Sequence, residues 1–240
     1  VALLDHDDEL APDALYHNAV LLNAYPDTDM IYSAEDKLTE DGVRHDPFFK
    51  PDWSPHYFQS CMYTCHLGVY RIELLRAVGG FRSQYDGAQD YDLVLRIVER
   101  TSRIRHIPRI LYHWRTHALS TAGTARSKPY AYVAARKALE DMLKRRGLSG
   151  YVEDHHRIGF FRIRYAIHDD RLVSIVIPTA GKIKHTSHGL LNLIVNCVSS
   201  IRKRTHGCRY EILVVDNSDL PEETISALEK YAVHLIHFRG

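Results

Sequence analysis

Three short stretches of the chain carry side chains that could do chemistry, and the first is an acidic cluster. Asp5, Asp7 and Asp8 follow the apolar residues 1–4. Carboxylates packed together raise one another's pKa unless a cation neutralises them. Mg²⁺ or Mn²⁺ is the natural partner, because these ions take one or two carboxylates and complete their shells with substrate phosphates. The pattern leaves a second interpretation open, in which the carboxylates stabilise a helix N-terminus.

The second stretch joins glycines to a carboxylate at a predicted helix start. Gly79 and Gly80 come first, and Gly87 then precedes Asp90. Glycine permits the backbone to approach a ligand closely. A carboxylate that faces a cleft can act as a general base. The alternative is that Asp90 caps the helix, a position that Asp favours.

The third stretch follows a predicted strand and contains His113, Arg115 and His117. A histidine here could complete a metal shell. An arginine could bind phosphate through two parallel hydrogen bonds. Taken alone, each of these residues is better explained by a structural role.

These residues must be positioned by short apolar strands that alternate with amphipathic helices. That alternation predicts an α/β architecture. Strands are predicted at residues 1–4, 30–32, 66–71, 104–107 and 110–114, and helices at residues 12–24, 72–78, 90–101 and 129–146. The first strand is expected to be buried, and the polar residues 33–52 are expected to form a loop.

A second set of elements follows a boundary near residues 150–171. Strands at residues 173–178, 210–215 and 233–237 alternate with helices at 190–203 and 221–231. Pro178, Thr179 and Asp216 come at the strand ends, where open parallel sheets bind nucleotides. We therefore predict one unit at residues 1–150, a linker at 151–171 and a second unit at 172–240.

Length and composition exclude several classes of protein. The chain has 240 residues, of which 45% are hydrophobic, so it can bury a substantial core. The 31 Lys and Arg residues nearly balance the 30 Asp and Glu residues, so no global field would attract nucleic acid. No apolar run is long enough to span a membrane. The four scattered cysteines predict reduced thiols in a cytosolic protein.

Taken together, these stretches resemble family 2 of the inverting nucleotide-sugar glycosyltransferases, which have the Rossmann-like A-type glycosyltransferase fold. The order of the motifs carries the resemblance: DxD after a strand, a glycine-rich loop, a carboxylate before a helix, and a late histidine. The sequences IYSAEDK (31–37) and FKPDWSP (49–55) look like the subgroup that builds bacterial surface polysaccharide such as O-antigen. Members of that subgroup often carry two transferase domains in one chain.

The resemblance implies a role for each matching residue of the first unit. Asp5 and Asp7 match the DxD pair, with Asp7 as the direct ligand of Mn²⁺ or Mg²⁺. His117 matches the histidine that helps to hold the metal and the diphosphate. Asp90 matches the base that takes the proton of the acceptor hydroxyl. A departure occurs at Gln89, where many relatives carry an acidic residue.

Further matches concern the acceptor side and the nucleotide. Gly79 and Gly80 match the loop that shapes the acceptor side. Pro178 and Thr179 match the turn that contacts the nucleotide. Asp216 matches the residue that hydrogen-bonds the base, usually uracil or thymine. The resemblance thus covers the back of one transferase domain and the front of the next, and it implies an incomplete fold in each.

The implied reaction is a single displacement with inversion. The donor would be a UDP- or dTDP-sugar, and the acceptor a saccharide or a lipid-linked saccharide. The implied location is the cytoplasm, including the periphery of the inner membrane. These statements are expectations drawn from the resemblance.

Two alternatives stay open at the level of sequence. One is a metal-dependent phosphohydrolase with Asp5 as nucleophile and Asp7 as acid, although no Thr follows the cluster as such enzymes usually require. The other is an inactive fragment that serves as a scaffold. In that case its two halves could still pair, within a chain or by self-association, to rebuild one site. The second alternative predicts weak or absent transfer by the isolated chain.

Overall fold

The structure is a computed structural model that describes residues 1–116, 129–166, 171–187 and 189–238. The chain divides into two compact units, Val1–Tyr165 and Ala166–Gly240. Each unit combines strands with helices. The predicted α/β class is therefore confirmed.

The first unit is built on a five-stranded mixed sheet. Its elements are β1 (Glu9–Leu10), α1 (Ala14–Ala24), β2 (Met30–Leu38), β3 (Arg44–Phe48), α2 (Pro55–Phe58), β4 (Gly68–Tyr70), α3 (Ile72–Val78), α4 (Gln89–Val98), β5 (Ile104–Arg115), α5 (Pro129–Arg145), β6 (Gly150–Asp154) and β7 (Phe161–Tyr165). Strand β5 pairs in parallel with β2 and antiparallel with β1. Strands β3 and β4 both pair antiparallel with β2, along different parts of its length.

Helices cover both faces of this sheet. Successive residues of a strand point to opposite faces. Met30 and Tyr32 accordingly pack in the cluster that contains residues of α4 and α5. Ile31 instead packs with Ala14 of α1 and Leu111 of β5. The central strand β2 is therefore buried from both sides.

The predicted loop at residues 33–52 is wrong, because β2 continues to Leu38 and β3 follows it. The sequence pattern was misleading because Glu35 and Asp36 are charged and yet buried. Each carboxylate is neutralised by a basic partner: Lys50 Nζ lies 2.9 Å from Glu35 Oε2, and Arg44 Nε lies 2.7 Å from Asp36 Oδ2. Paired charges can occupy a buried strand that unpaired charges could not.

The buried strand predicted at residues 1–4 is also wrong. These residues form an isolated bridge from Ala2 to Val69, and Val1 and Leu4 are 53% and 51% exposed. One predicted helix is confirmed at both of its ends. Helix α3 has the predicted bounds, and it ends at Gly79 with a φ of +82°, a value that favours glycine.

The segment predicted as a linker contains a β-hairpin. Strands β6 and β7 pair antiparallel from Gly150↔Tyr165 to Asp154↔Phe161. Phe161 and Val152 are buried in the same core as α5. Residues 150–165 therefore belong to the first compact unit, and the division between the units falls after them.

The second unit contains the predicted parallel β-α-β-α-β run. Its elements are β8 (Val173–Pro178), β9 (Ile183–Thr186), β10 (Gly189–Asn192), α6 (Leu193–Arg204), β11 (Tyr210–Asp216), α7 (Glu222–Glu229) and β12 (His234–His237). Strand β11 lies between β8 and β12 and pairs in parallel with both. Helix α6 begins later than predicted, because Asn192 caps it by accepting a hydrogen bond from the Val195 N–H. The residues before Asn192 pair with β9 instead.

Within the part of the chain that the structure describes, no helix has both the length and the apolar character required to cross a bilayer.

Candidate active site

A cavity of about 660 Å³ opens in the first unit, and it collects residues from distant parts of the chain. Its lining includes Asp5, His66, Phe81, Gly87, Asp90 and Trp114. The volume lies within the range of small-molecule sites. Two of the residues predicted from sequence, Asp5 and Asp90, are thus brought to one cavity.

Asp90 is placed in this cavity by the first turn of α4. Ala88 occupies the N-cap position of that helix, so the interpretation of Asp90 as the cap is wrong. Gly87 precedes the helix with a φ of +93°, and a Cβ there would lie 2.6 Å from the Tyr130 ring. Asp90 Oδ1 accepts a hydrogen bond from the Tyr91 N–H at 2.8 Å.

The pKa of Asp90 is raised, and burial is the largest cause. The hydrogen bond from the Tyr91 N–H and the charge of His66 act in the opposite direction, whereas the Asp5 carboxylate adds to the rise. A raised pKa makes a carboxylate a better proton acceptor near neutral pH. The predicted role of Asp90 as a general base agrees with its place at the cavity and its raised pKa, and it stays a prediction.

The acidic cluster divides into one inward carboxylate and two that remain nearer to solvent. Asp8 accepts hydrogen bonds from the Tyr112 hydroxyl at 2.5 Å and from the Arg115 N–H at 2.7 Å. Its pKa is raised by burial, against the effect of these two bonds. Asp5 is exposed at the cavity, and the Asp7 side chain is 32% exposed. Asp8 thus anchors the loop of residues 5–8, the acidic loop, to β5.

The donor set at this loop fits a hard divalent cation in its chemistry. Asp5 and Asp7 supply two carboxylates, which is what Mg²⁺ commonly takes from a protein when phosphate oxygens complete its shell. Among the described residues, no group of three or more His, Cys, Asp and Glu side chains could hold a metal ion. The predicted third ligand, His117, lies outside the described residues. The metal site therefore stays a prediction.

Arg115 contacts the same loop. Its Nε donates to the Asp7 carbonyl oxygen at 2.7 Å, and its guanidinium also pairs with the Glu9 carboxylate. These bonds hold the backbone of Asp7 against the end of β5. The predicted contact of Arg115 with phosphate is not tested by these bonds and stays a prediction.

Gly79 and Gly80 terminate α3 rather than lining the cavity. The Gly80 N–H donates to the Leu75 carbonyl at 3.1 Å, as expected of a helix C-terminus. The Gly80 carbonyl accepts a bond from Arg96 at 2.6 Å, and Arg96 also pairs with the buried Asp92. Phe81, the next residue, does line the cavity. The glycines thus position the loop from outside the cavity.

The second unit brings Pro178, Thr179 and Asp216 to one end of its sheet. Pro178 and Asp216 are the last residues of β8 and β11, and the Thr179 N–H donates to the Val215 carbonyl at 2.8 Å. Asp216 Oδ1 accepts bonds from the Ser218 N–H at 2.8 Å and from His237 Nδ1 at 2.7 Å.

Asp216 is almost completely buried, yet its pKa is lowered. Burial alone would raise the pKa, but the bonds from Ser218 and His237 and the charge of His237 outweigh it. The other carboxylate oxygen, Oδ2, is buried and has no hydrogen-bond partner among the described residues. Buried acceptors are normally satisfied by a protein group, by water or by a ligand.

Sequence reasoning missed His66 and Trp114 as cavity residues. His66 was assigned to a strand, but it precedes β4 and faces the cavity. Trp114 lies near the end of β5. His66 could have been recognised as a candidate site residue because it is a polar side chain next to the apolar residues that lead into β4.

Comparison with known proteins finds two relatives, whereas no family model matches the chain. A protein of Sinorhizobium fredii named "uncharacterized protein y4gI" is 41% identical over 228 residues, which are 94% of this chain and 24% of that protein. The "O-antigen biosynthesis protein RfbC" of Myxococcus xanthus is 36% identical over 231 residues, which are 96% of this chain and 17% of that protein. The chain thus spans a quarter or less of the length of these relatives.

Proposed function

We propose that this chain is part of a metal-dependent glycosyltransferase that transfers a sugar from a nucleotide diphosphate-sugar to an acceptor hydroxyl with inversion. The observation that carries the proposal is the cavity in which Asp90, a carboxylate with a raised pKa, lies together with Asp5 of the acidic loop. A base and a diphosphate-binding loop in one cavity are the two parts that such a transfer needs.

The relative named for O-antigen biosynthesis supports a role in the synthesis of bacterial surface polysaccharide. We assign the first unit to the metal and acceptor part of one A-type transferase domain. The second unit, with its parallel β-α-β-α-β run, is assigned to the nucleotide-binding part of another. Both assignments agree with the motif order in the sequence.

In the proposed mechanism, Asp90 accepts the proton of the acceptor hydroxyl as that oxygen attacks the anomeric carbon. Asp5 and Asp7 would hold Mg²⁺ or Mn²⁺, which stabilises the negative charge that grows on the departing diphosphate. The loop that carries them is held to β5 through Tyr112 and Arg115. A single displacement on the face opposite the leaving group inverts the anomeric centre.

In the second unit, Asp216 is suited to a nucleobase. Its lowered pKa keeps the carboxylate ionised, and its buried Oδ2 can accept a hydrogen bond. Uracil and thymine carry an imide N–H that could donate this bond. The exposed turn at Pro178 would lie beside the nucleotide.

The first experiment is titration calorimetry of UDP and dTDP with Mn²⁺ and with EDTA. The variant Asp7→Ala is compared with Asp27→Ala, which removes an exposed carboxylate away from the cavity. We expect metal-dependent binding that Asp7→Ala abolishes and Asp27→Ala retains.

Two other results would change the proposal. Binding that is independent of metal and is lost only in Asp216→Ala would restrict the donor site to the second unit. Absence of binding under every condition would contradict a donor site in this chain. Transfer of sugar is a separate measurement, and we expect it to be weak or absent for the isolated 240-residue chain.

A further inference from the structure

The backbone at His66 is held in place by hydrogen bonds to two buried side chains, Glu35 and Lys50. Its N–H donates to Glu35 Oε2 at 2.8 Å. The same carboxylate is paired with the fully buried Lys50 Nζ, which also donates to the carbonyls of Thr64 and His66. Buried, fully paired charges of this kind fix local geometry. The position of the His66 ring is therefore determined by the fold.

Two aromatic side chains of β5 fix the orientation of that ring. The His66 imidazole stacks on Tyr112, with 4.6 Å between ring centroids and an interplanar angle of 17°. Trp114 meets the imidazole edge-on at 5.7 Å and 70°. Tyr112 also holds Asp8, so the acidic loop and His66 share one support.

The polar atoms of both rings are available to a ligand. Within the described residues, neither the imidazole nitrogens of His66 nor the indole N–H of Trp114 makes a side-chain hydrogen bond. Both residues line the cavity. Polar groups of a folded protein that lack a protein partner are normally satisfied by water or by a ligand.

The location of His66 identifies which part of a ligand it would meet. His66 lines the same cavity as Asp5 and Asp90, and its ring stacks on Tyr112, which holds Asp8 of the acidic loop. In the proposed reaction the diphosphate is held at the loop and the acceptor hydroxyl at Asp90. The sugar that is transferred must occupy the space between them.

We propose that His66 and Trp114 form the subsite for the transferred sugar. The imidazole hydrogen-bonds a sugar hydroxyl, and the indole packs against the apolar C–H face of the sugar ring. This inference rests on the proposed function and adds to it the residues that select the donor sugar.

The test uses the two tryptophans of the chain, Trp53 and Trp114. Each contributes one indole N–H signal to a ¹⁵N NMR spectrum. The signal that disappears in Trp114→Phe belongs to Trp114, and the other belongs to Trp53. Trp53 lines a different cavity and serves as the internal control. The probes are UDP, dTDP, a panel of UDP- and dTDP-hexoses, and the corresponding methyl glycosides.

We expect at least one sugar to shift the Trp114 signal more than the bare nucleotide does, while the Trp53 signal stays in place. His66→Ala should weaken binding of that sugar nucleotide about three- to tenfold, the effect of one hydrogen bond, without changing the affinity for the nucleotide alone. His66→Gln, which restores a donor and an acceptor, should recover part of the loss. Circular dichroism verifies that each variant is folded.

The outcomes separate this inference from the proposed function. If nucleotides bind but no sugar shifts Trp114, or if His66→Ala binds the sugar nucleotide as the wild type does, the subsite is refuted and the transferase proposal stands. If no nucleotide binds, the proposal of a donor site in this chain is refuted. The methyl glycosides then test the sugar subsite separately, and it is refuted as well if none of them shifts the Trp114 signal.

Discussion

Asp90 of the first unit and Asp216 of the second are both aspartates at the end of a regular element, but their environments drive their pKa values in opposite directions. Asp90 lines a cavity, and the rise that burial causes in its pKa exceeds the lowering by backbone hydrogen bonds, including the one from the Tyr91 N–H. Asp216 is almost completely buried, yet Ser218 and His237 donate to it and its pKa falls. The hydrogen-bond donors around a carboxylate, together with its burial, thus set the direction in which its pKa shifts.

This difference suits the two carboxylates to different tasks. A carboxylate with a raised pKa can take a proton during a reaction. A carboxylate with a lowered pKa stays ionised and can hold a ligand through a hydrogen bond.

The largest expected effect follows from removing the base. Asp90→Asn keeps the size of the side chain but cannot accept a proton, so transfer in the natural, full-length protein should fall about 10²- to 10⁴-fold. The measurement is release of nucleoside diphosphate in the presence of acceptor. Asp86→Asn changes an exposed neighbouring carboxylate and should leave the rate unchanged. Equal rates for wild type and Asp90→Asn would remove Asp90 from the mechanism.

The next effect concerns the frame of the first unit. Lys50→Met leaves the buried Glu35 carboxylate without its counter-ion, which should lower the free energy of unfolding by about 3–5 kcal/mol. Lys144→Met removes a largely exposed ion pair with Asp141 and should cost less than about 1 kcal/mol. Urea denaturation, followed by the tryptophan fluorescence of the first unit, compares the two. Similar losses in both variants would contradict a structural role for the buried pair.

A smaller effect is expected at Asp216, and its sign follows from the lowered pKa. A carboxyl whose pKa is lower in the folded state stabilises the fold above its unfolded pKa of about 3.9. That contribution is lost as the pH falls through the folded pKa. Asp216→Asn should therefore destabilise the second unit by about 1–3 kcal/mol at neutral pH, with the difference disappearing under acid conditions. Hydrogen exchange of the β11 amides measures it, and a difference that is independent of pH would argue against the assigned cause.

The smallest effect concerns the pKa values of the two aspartates themselves. Titration of the carboxyl carbons by ¹³C NMR should place the pKa of Asp90 above the ordinary value for Asp and that of Asp216 below it. His66→Gln removes the imidazole whose electrostatic effect lowers the pKa of Asp90, so the Asp90 pKa should rise further while that of Asp216 stays constant. A fall in the Asp90 pKa would show that His66 does not act on it as a cation.

The elements with local signals could be predicted from the amino-acid sequence. Apolar periodicity predicted the α/β class and the parallel run of the second unit, and Gly79 marked the end of α3. The acidic loop and the helix start at Asp90 were recognisable as chemistry because residue type and spacing are enough to suggest it. The structure then placed Asp5 and Asp90 at one cavity.

Which charged residues are buried, and which polar residues come into contact, depends on how distant segments pack together. Strand β2 was missed because Glu35 and Asp36 are neutralised by Lys50 and Arg44, partners that no local pattern identifies. The same holds for His66, whose place in the cavity depends on hydrogen bonds from Lys50 and stacking on Tyr112. Local preference fixes helices and strands, whereas the balance of desolvation against pairing is settled only when distant segments come into contact.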